Sequence, residues 1–305
     1  MVRWFEKKFE KDELRKHTLK RIDNPVKKIN AIYRFLSITN WIIIVNFFVY
    51  LLVQILLLRG ITEEQLSYFF GISASTFFSG AYWTLITSMF THFWLPHLFF
   101  NMISLFFVGN FLEKIIGRKK FIWFYLASGL LAGLFYTILS FYFGNSEIGA
   151  KIFVDPMQYA VGASGAIFGI AGLLAVLTPY MRVYLIVGPL IAIVIQSILS
   201  SKFPTLPALS LINILITIYI FVSIFAMFSF NETIRKISIP MAMPFWLLPV
   251  VAIVPLIAIG LFVDLPIGNT AHLGGLIAGI LYGLYLQKKY KKKTEMLRKM
   301  FSEFQ

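Results

Sequence analysis

The chain has no cysteine, and only 14 of its 305 residues are acidic. The first absence excludes disulfides, thiolate metal sites and a cysteine nucleophile. The second belongs to a wider shortage: charged residues make up 14% of the chain and hydrophobic ones 58%. Soluble domains carry about 25% charge, so these proportions define an integral membrane protein. No early apolar core marks a cleavable signal peptide, so the first span is expected to anchor itself. No His-Glu-x-x-His motif is present for a zinc protease. The Asp residues nearest the outer side, Asp155 and Asp264, fall in loops, which speaks against an aspartyl pair in the bilayer. The Gly-x-Ser-x-Gly elbow is missing as well, because Ser164 is followed by Gly165-Ala166 with no strand pattern around it.

What the chain has in excess is basic charge, a net +14. Lys and Arg gather in residues 1–37, in residues 288–305 and in short loops beside apolar runs. The positive-inside rule accounts for that distribution, and no nucleic-acid partner is expected. Apolar runs of spanning length lie near residues 40–58, 95–112, 121–143, 161–179, 183–200, 207–230, 243–262 and 270–287. Eight spans put both tails and every strongly basic loop on one side, leaving only Arg59, Lys151 and Lys202 on the other. The expected fold is therefore an all-α polytopic membrane protein. Its membrane domain covers residues 38–287 between two basic cytoplasmic tails. Residues 1–37 carry Trp4, Phe5 and Phe9, which could share one face of a surface helix. Residues 61–88 are too interrupted to span and suit the interface, with Tyr82 and Trp83 at headgroup depth.

The chain has four histidines. With eight spans, the second, fourth and eighth run from outside to inside. His97, Ser164 and His272 then lie within two turns of the outer ends of those spans. At 1.5 Å per residue they share a depth of roughly 3–10 Å. A serine in a membrane helix ordinarily bonds back to a carbonyl one turn earlier. Ionisable groups in the membrane are costly, however, and their alignment points to a site. A serine hydroxyl needs a base to become a nucleophile, and His272 beside Ser164 would supply one. The anionic intermediate needs donors placed in advance. His97 and Asn101, at i and i+4 on one helix face, could serve it with the Ser164 N–H. Gly165-xxx-Gly169 and Gly275-xxx-Gly279-xxx-Gly283 are small-residue stripes that let helices approach closely. His92 reads as an interfacial or structural histidine and His17 as a tail residue. A transporter would need midplane ionisable groups and an internal repeat, neither of which is visible.

These residues carry a family pattern. His97-Leu98-Phe99-Phe100-Asn101, Gly162-Ala163-Ser164-Gly165 and Ala271-His272-Leu273-Gly274-Gly275 resemble the motifs of the rhomboid family of intramembrane serine proteases. Gly109-Asn110-Phe111-Leu112-Glu113 through Gly117-Arg118 resembles that family's exit from its second helix. The resemblance implies a rhomboid-like six-helix core and a Ser164–His272 dyad without an acidic third member. It also implies that Gly162 shapes the turn into Ser164 and that the Phe168 ring packs on His272. The implied reaction is cleavage of a peptide bond in or near the transmembrane helix of membrane-anchored substrates, through an acyl-enzyme. Neither metal nor cofactor is called for, and the expected setting is the lipid bilayer of the cell membrane. A rhomboid-like pseudoprotease, which binds membrane clients without cutting, is the alternative; such relatives typically lack the Ser or the His. Two departures stand out. Trp83 is followed by Thr84 where the family commonly has Arg. Three spans, not one, separate Ser164 from His272, so residues 183–235 read as an inserted helical hairpin, with Met243-Pro244-Phe245-Trp246 opening the family's fifth helix.

Overall fold

Ser37 opens the first long helix, its Oγ accepting a hydrogen bond from the N–H of Asn40 at 3.1 Å, and helix α1 runs Ile38–Leu58. The computed structural model describes residues 36–227, 229–260 and 268–302. Most of the N-terminal tail, including Trp4, Phe5, Phe9 and His17, lies outside the described residues, as does Asp264.

Eight apolar helices occupy the eight expected stretches among the described residues. After α1 come α2 (Leu95–Ile116), α3 (Arg118–Phe143) and α4 (Ser164–Leu177). They are followed by α5 (Val187–Lys202), α6 (Leu209–Met227), α7 (Leu248–Gly260) and α8 (Asn269–Lys289). By length and composition α1, α2, α3 and α6 can each cross a membrane. The protein is an all-α, multi-pass integral membrane protein. Helix α2 contains one π-helical turn at Leu105–Gly109, where Gly109 packs against the Thr39 side chain of α1.

The boundaries differ from the sequence reading in two places. Helix α4 begins at Ser164 rather than near residue 161, because Gly162 has φ +119°, outside the helical region. Residues 182–186 and 240–244 are not helical. They form strands β1 (Arg182–Ile186) and β2 (Pro240–Pro244), paired antiparallel with Arg182 opposite Pro244 and Ile186 opposite Pro240. The two prolines lack an N–H, and Pro244 favours an extended Met243, which suits the end of a short ribbon better than a helix; Ile239, before Pro240, is left-handed at φ 49°. The ribbon closes the base of the α5–α6 hairpin.

The core is a trio of helices, α3, α4 and α8, and glycine sets its spacing. A Cβ at Gly275 would overlap the carbonyl oxygen of Gly165, and one at Gly279 would overlap that of Gly169. One at Gly172 would lie 2.5 Å from the Leu276 oxygen. These neighbours are backbone atoms and cannot yield as a side-chain tip would, so α4 and α8 touch main chain to main chain. On the other flank Gly165 and Gly169 meet Ala132 and Ser128 of α3. Tyr125, Leu173, Leu174, Leu177 and Leu286 are fully buried below.

Two polar devices hold the end of the bundle remote from Ser164. Glu113, buried at the end of α2, accepts from the N–H groups of Ile38 and Thr39 at 2.9 and 2.8 Å and from Thr39 Oγ1 at 2.8 Å. It also pairs with Arg118 at 3.4 Å, and Arg118 donates to the Leu36 carbonyl. One carboxylate thus caps α1 and ties it to the α2–α3 corner. The C-terminal residues that read as a basic tail include helix α9 (Lys291–Ser302), with Leu297 buried. Its Arg298 donates to the Val176 carbonyl at 2.6 and 3.1 Å, satisfying an acceptor in the last turn of α4.

Glu113→Ala would leave the amides of Ile38 and Thr39 and the Thr39 hydroxyl without that acceptor, and would remove the carboxylate partner of Arg118. It should lower unfolding stability by about 3 kcal/mol, read as a shifted denaturation midpoint in detergent. Glu113→Gln, which keeps one acceptor oxygen, should lose less.

Candidate active site

The outer segment between α1 and α2 builds the platform on which the candidate residues sit. It folds into short helices at Glu63–Phe70, Ala74–Phe78 and Thr84–Thr87. Trp83 is half exposed, as an interfacial residue would be, and its Nε1 donates to the Phe69 carbonyl at 2.9 Å. Thr84, where the rhomboid motif commonly has Arg, is buried and donates to the Ala81 carbonyl at 2.6 Å. The segment is therefore anchored by local backbone acceptors. It also grips the loop before α4: Ile72 and Ala160 exchange backbone hydrogen bonds at 2.8 and 2.9 Å, and the N–H of Gly162 donates to the Ser88 carbonyl at 2.8 Å. From the α3 side Tyr136 Oη donates to the Gln158 carbonyl at 2.8 Å.

This grip sets the turn into α4. Gly162, at φ +119°, adopts a conformation that L side chains rarely take. Space is as restrictive as torsion there: a Cβ would sit 2.8 Å from the His97 ring and 3.4 Å from Asn101 Nδ2. Ser164 follows as the first helical residue of α4. Its N–H belongs to the first turn, whose donors have no intrahelical acceptor and carry the positive end of the helix dipole.

Ser164 Oγ lies 2.8 Å from His272 Nε2. The two residues are 108 positions apart in the chain, and the glycine contacts between α4 and α8 bring them together. Phe168, one turn below Ser164, stacks on the His272 ring at a centroid distance of 4.3 Å and 20°. That contact fixes the imidazole plane from one side. His272 is buried, and its Nδ1 takes no hydrogen-bond partner among the described residues. No carboxylate among the described residues orients it.

His97 and Asn101 lie opposite, on one face of α2, and line the same cavity as Ser164, Gly162 and His272. Sequence reasoning left out His92. The structure buries it against the pair: Asn101 Nδ2 is 3.0 Å from His92 Nε2, and the His92 and His97 rings meet edge to face at 4.9 Å. With the amide as donor, His92 Nε2 is the acceptor, which orients the Asn101 side chain. The available signal was its place nine residues before Asn101, but it lies in a loop, where helical spacing makes no prediction. Among the described residues no group of His, Cys, Asp or Glu could hold a metal ion.

The cavity has a volume of about 1010 Å³. Glu63 is the only charged side chain among its described lining residues. Helix α4 has 14 residues, about 21 Å of rise, against a hydrocarbon core of about 30 Å. Helix α4 is thus shorter than that core, and Ser164 at its N-terminus lines the cavity.

This arrangement has relatives. The Rhomboid domain family profile matches residues 79–217 and 216–289, well over half of the chain. The chain belongs to the rhomboid family. Over 95 residues it is 37% identical to YdcA of Bacillus subtilis, covering 31% of this chain and 40% of that protein. Over 119 residues it is 39% identical to the mitochondrial RHOMBOID-like protein 12 of Arabidopsis thaliana, covering 38% and 35%. Over 97 residues it is 37% identical to the rhomboid protease AarA of Providencia stuartii, covering 30% and 33%. The matched stretches thus span well under half the length of these curated relatives.

Gly162→Ala should strain the turn and press on His97, lowering unfolding stability by about 1–3 kcal/mol. Gly80 has a similar φ of +107° with nothing within 4 Å of its added Cβ, so Gly80→Ala measures the torsional part alone. The denaturation midpoint of Gly162→Ala should fall further than that of Gly80→Ala.

Proposed function

We propose that this protein is an intramembrane serine endopeptidase that cleaves a peptide bond in or near the transmembrane helix of membrane-anchored substrates. The observation that carries the reading is the 2.8 Å contact between Ser164 Oγ and His272 Nε2 inside a cavity that also holds His97 and Asn101. Membership of the rhomboid family supports it.

In this mechanism His272 Nε2 takes the Ser164 proton as Oγ attacks the scissile carbonyl carbon. The oxyanion that forms is met by the Ser164 N–H, the His97 ring and the Asn101 amide, the last held by His92. Each such donor is worth about 3–4 kcal/mol in a water-excluded site. The tetrahedral intermediate collapses, the C–N bond breaks, and His272 returns its proton to the leaving amine. Water then attacks the acyl-enzyme with His272 as base again, releasing the acid and restoring Ser164. Phe168 and the burial of His272 hold the ring in place without an acidic third residue. Gly162 keeps His97 and Asn101 close to the serine turn. No metal or cofactor takes part.

The same reading makes residues 183–235 an insertion between the Ser164 helix and the family's fifth helix, α7, with the ribbon at its base. Both termini are cytoplasmic and the protein works in the cell membrane, an orientation supported by the basic residues flanking the spans.

The test is cleavage of a single-pass model substrate in lipid vesicles. Wild type should cut it. Ser164→Ala and His272→Ala should each lose at least about 10³-fold in rate, and His97→Ala or Asn101→Ala about 10²–10³-fold. Unfolding midpoints should stay near that of wild type. Retained cleavage in folded Ser164→Ala would overturn the proposal, and so would a wild type that binds the substrate without cutting it.

A further inference from the structure

The cavity above the Ser164–His272 pair does not end there. Along α2 it is lined from His97 to Val108, a stretch of twelve residues and about 16 Å of helix. Residues of α3, α4 and α8 line it around Ser164, among them Gly129, Ala132, Gly165 and Ala271, and a further part of the wall belongs to none of these three helices. It comes from the α5–α6 hairpin, through Leu190 and Ile193 of α5 and Ile224 and Met227 of α6. The hairpin is fixed to α2 by the Phe99 ring, whose centroid is 5.5 Å from that of Phe221 and 6.3 Å from that of Phe225. Ile186, Ile193, Ile216 and Tyr219 join Phe99 and Ile103 in one apolar cluster around Ala192, Ile220 and Ile224.

The chemistry of the cavity changes along its length. At the dyad end it presents Ser88, His97, Asn101, Gln158, Ser164 and His272. Further along α2 it presents Ile103, Phe107 and Val108 with a single hydroxyl, Ser104, and from the other helices it takes Leu190, Ile193, Ile224 and Leu248. A ligand that fits is polar where it meets Ser164 and apolar for about three helical turns beyond. A helix about 10 Å across and 16 Å long fills roughly 1250 Å³, the same order as the space available. A phospholipid also has two such ends, but its phosphate calls for a cation, and no Lys or Arg is among the described lining residues. A polypeptide leaving the water and entering the hydrocarbon meets every part of the wall.

We propose that the groove between α2 and the α5–α6 hairpin receives the transmembrane segment of the substrate, with Leu190, Ile193, Ile224 and Met227 selecting its side chains. The proposal rests on the protease reading of Ser164 and His272. It assigns the hairpin a role that the dyad itself does not need: recognition of the apolar residues on one side of the cleavage point. Four aliphatic or thioether side chains on two helices form a surface that admits branched apolar residues and excludes charged ones.

The experiment uses the full chain carrying Ser164→Ala, so that bound substrate is not consumed, reconstituted in vesicles with a single-pass model substrate. A photoreactive amino acid replaces Ile193 or Ile224, which line the groove, or Ile195, which is exposed on the outer side of α5. Illumination should join the substrate to the chain from positions 193 and 224 and not from 195. Equal adducts from all three positions would overturn the proposal, as would adducts to lipid alone from the two groove positions. The contact is read without catalysis, so it is separable from the protease reading: that reading fails when the wild-type chain does not cut, whereas this one fails when the groove positions do not touch the substrate.

Discussion

The whole arrangement depends on how closely two helix backbones can lie. A Cβ at Gly275 or Gly279 would collide with the carbonyl of Gly165 or Gly169, so any larger residue pushes α4 and α8 apart. The 2.8 Å between Ser164 and His272 is set by that main-chain contact rather than by any bond between side chains further down. Lipid tails are as apolar as the helix surfaces they cover, so burial alone does not press membrane helices together; close packing does. In the proposed mechanism the stripe of glycine does the positioning that an acidic residue does in a soluble triad. The Phe168 ring stacked on one face and the Ser164 hydroxyl at Nε2 leave the His272 ring little freedom.

The second constraint is the mismatch between a 14-residue helix and the membrane around it. Helix α4 is too short to span alone, and its N-terminus opens into a cavity. The outer segment and the loop before α4 then have to hold a serine turn that no complete helix supports. They do so with backbone bonds: the Ile72–Ala160 bridge, the Ser88 carbonyl on Gly162 and the Tyr136 hydroxyl on Gln158. Only glycine fits position 162, since torsion and the His97 ring both forbid a side chain.

Much of this was legible in the residues. The apolar runs located every long helix, since spanning length and lack of charge are properties of the local sequence. Ser164, His272, His97, Asn101, Gly162 and Phe168 were singled out from spacing and resemblance, and the structure brings all six together. What was not legible depends on neighbours far away in the chain. Strands β1 and β2 looked like the beginnings of apolar helices, because Val183 to Ile186 is hydrophobic either way and only pairing with residues 240–244 makes it extended. His92 carries no helical periodicity, so its contact with Asn101 was invisible. Glu113 looked like the end of a helix; its work is done on α1, more than seventy residues earlier. The basic C-terminus concealed an amphipathic helix whose Arg298 reaches the end of α4.

The claim tested most directly is that Ser164 is made nucleophilic by His272 through the glycine contact. The measurement is peptide-level identification of the residue modified when the folded wild-type protein, in vesicles, reacts with a fluorophosphonate. The account predicts an adduct on Ser164 that disappears both in His272→Ala and in a folded Gly275→Leu variant, where the two helices are forced apart. An adduct on a different serine, or one on Ser164 that forms at the wild-type rate without the imidazole, would contradict it.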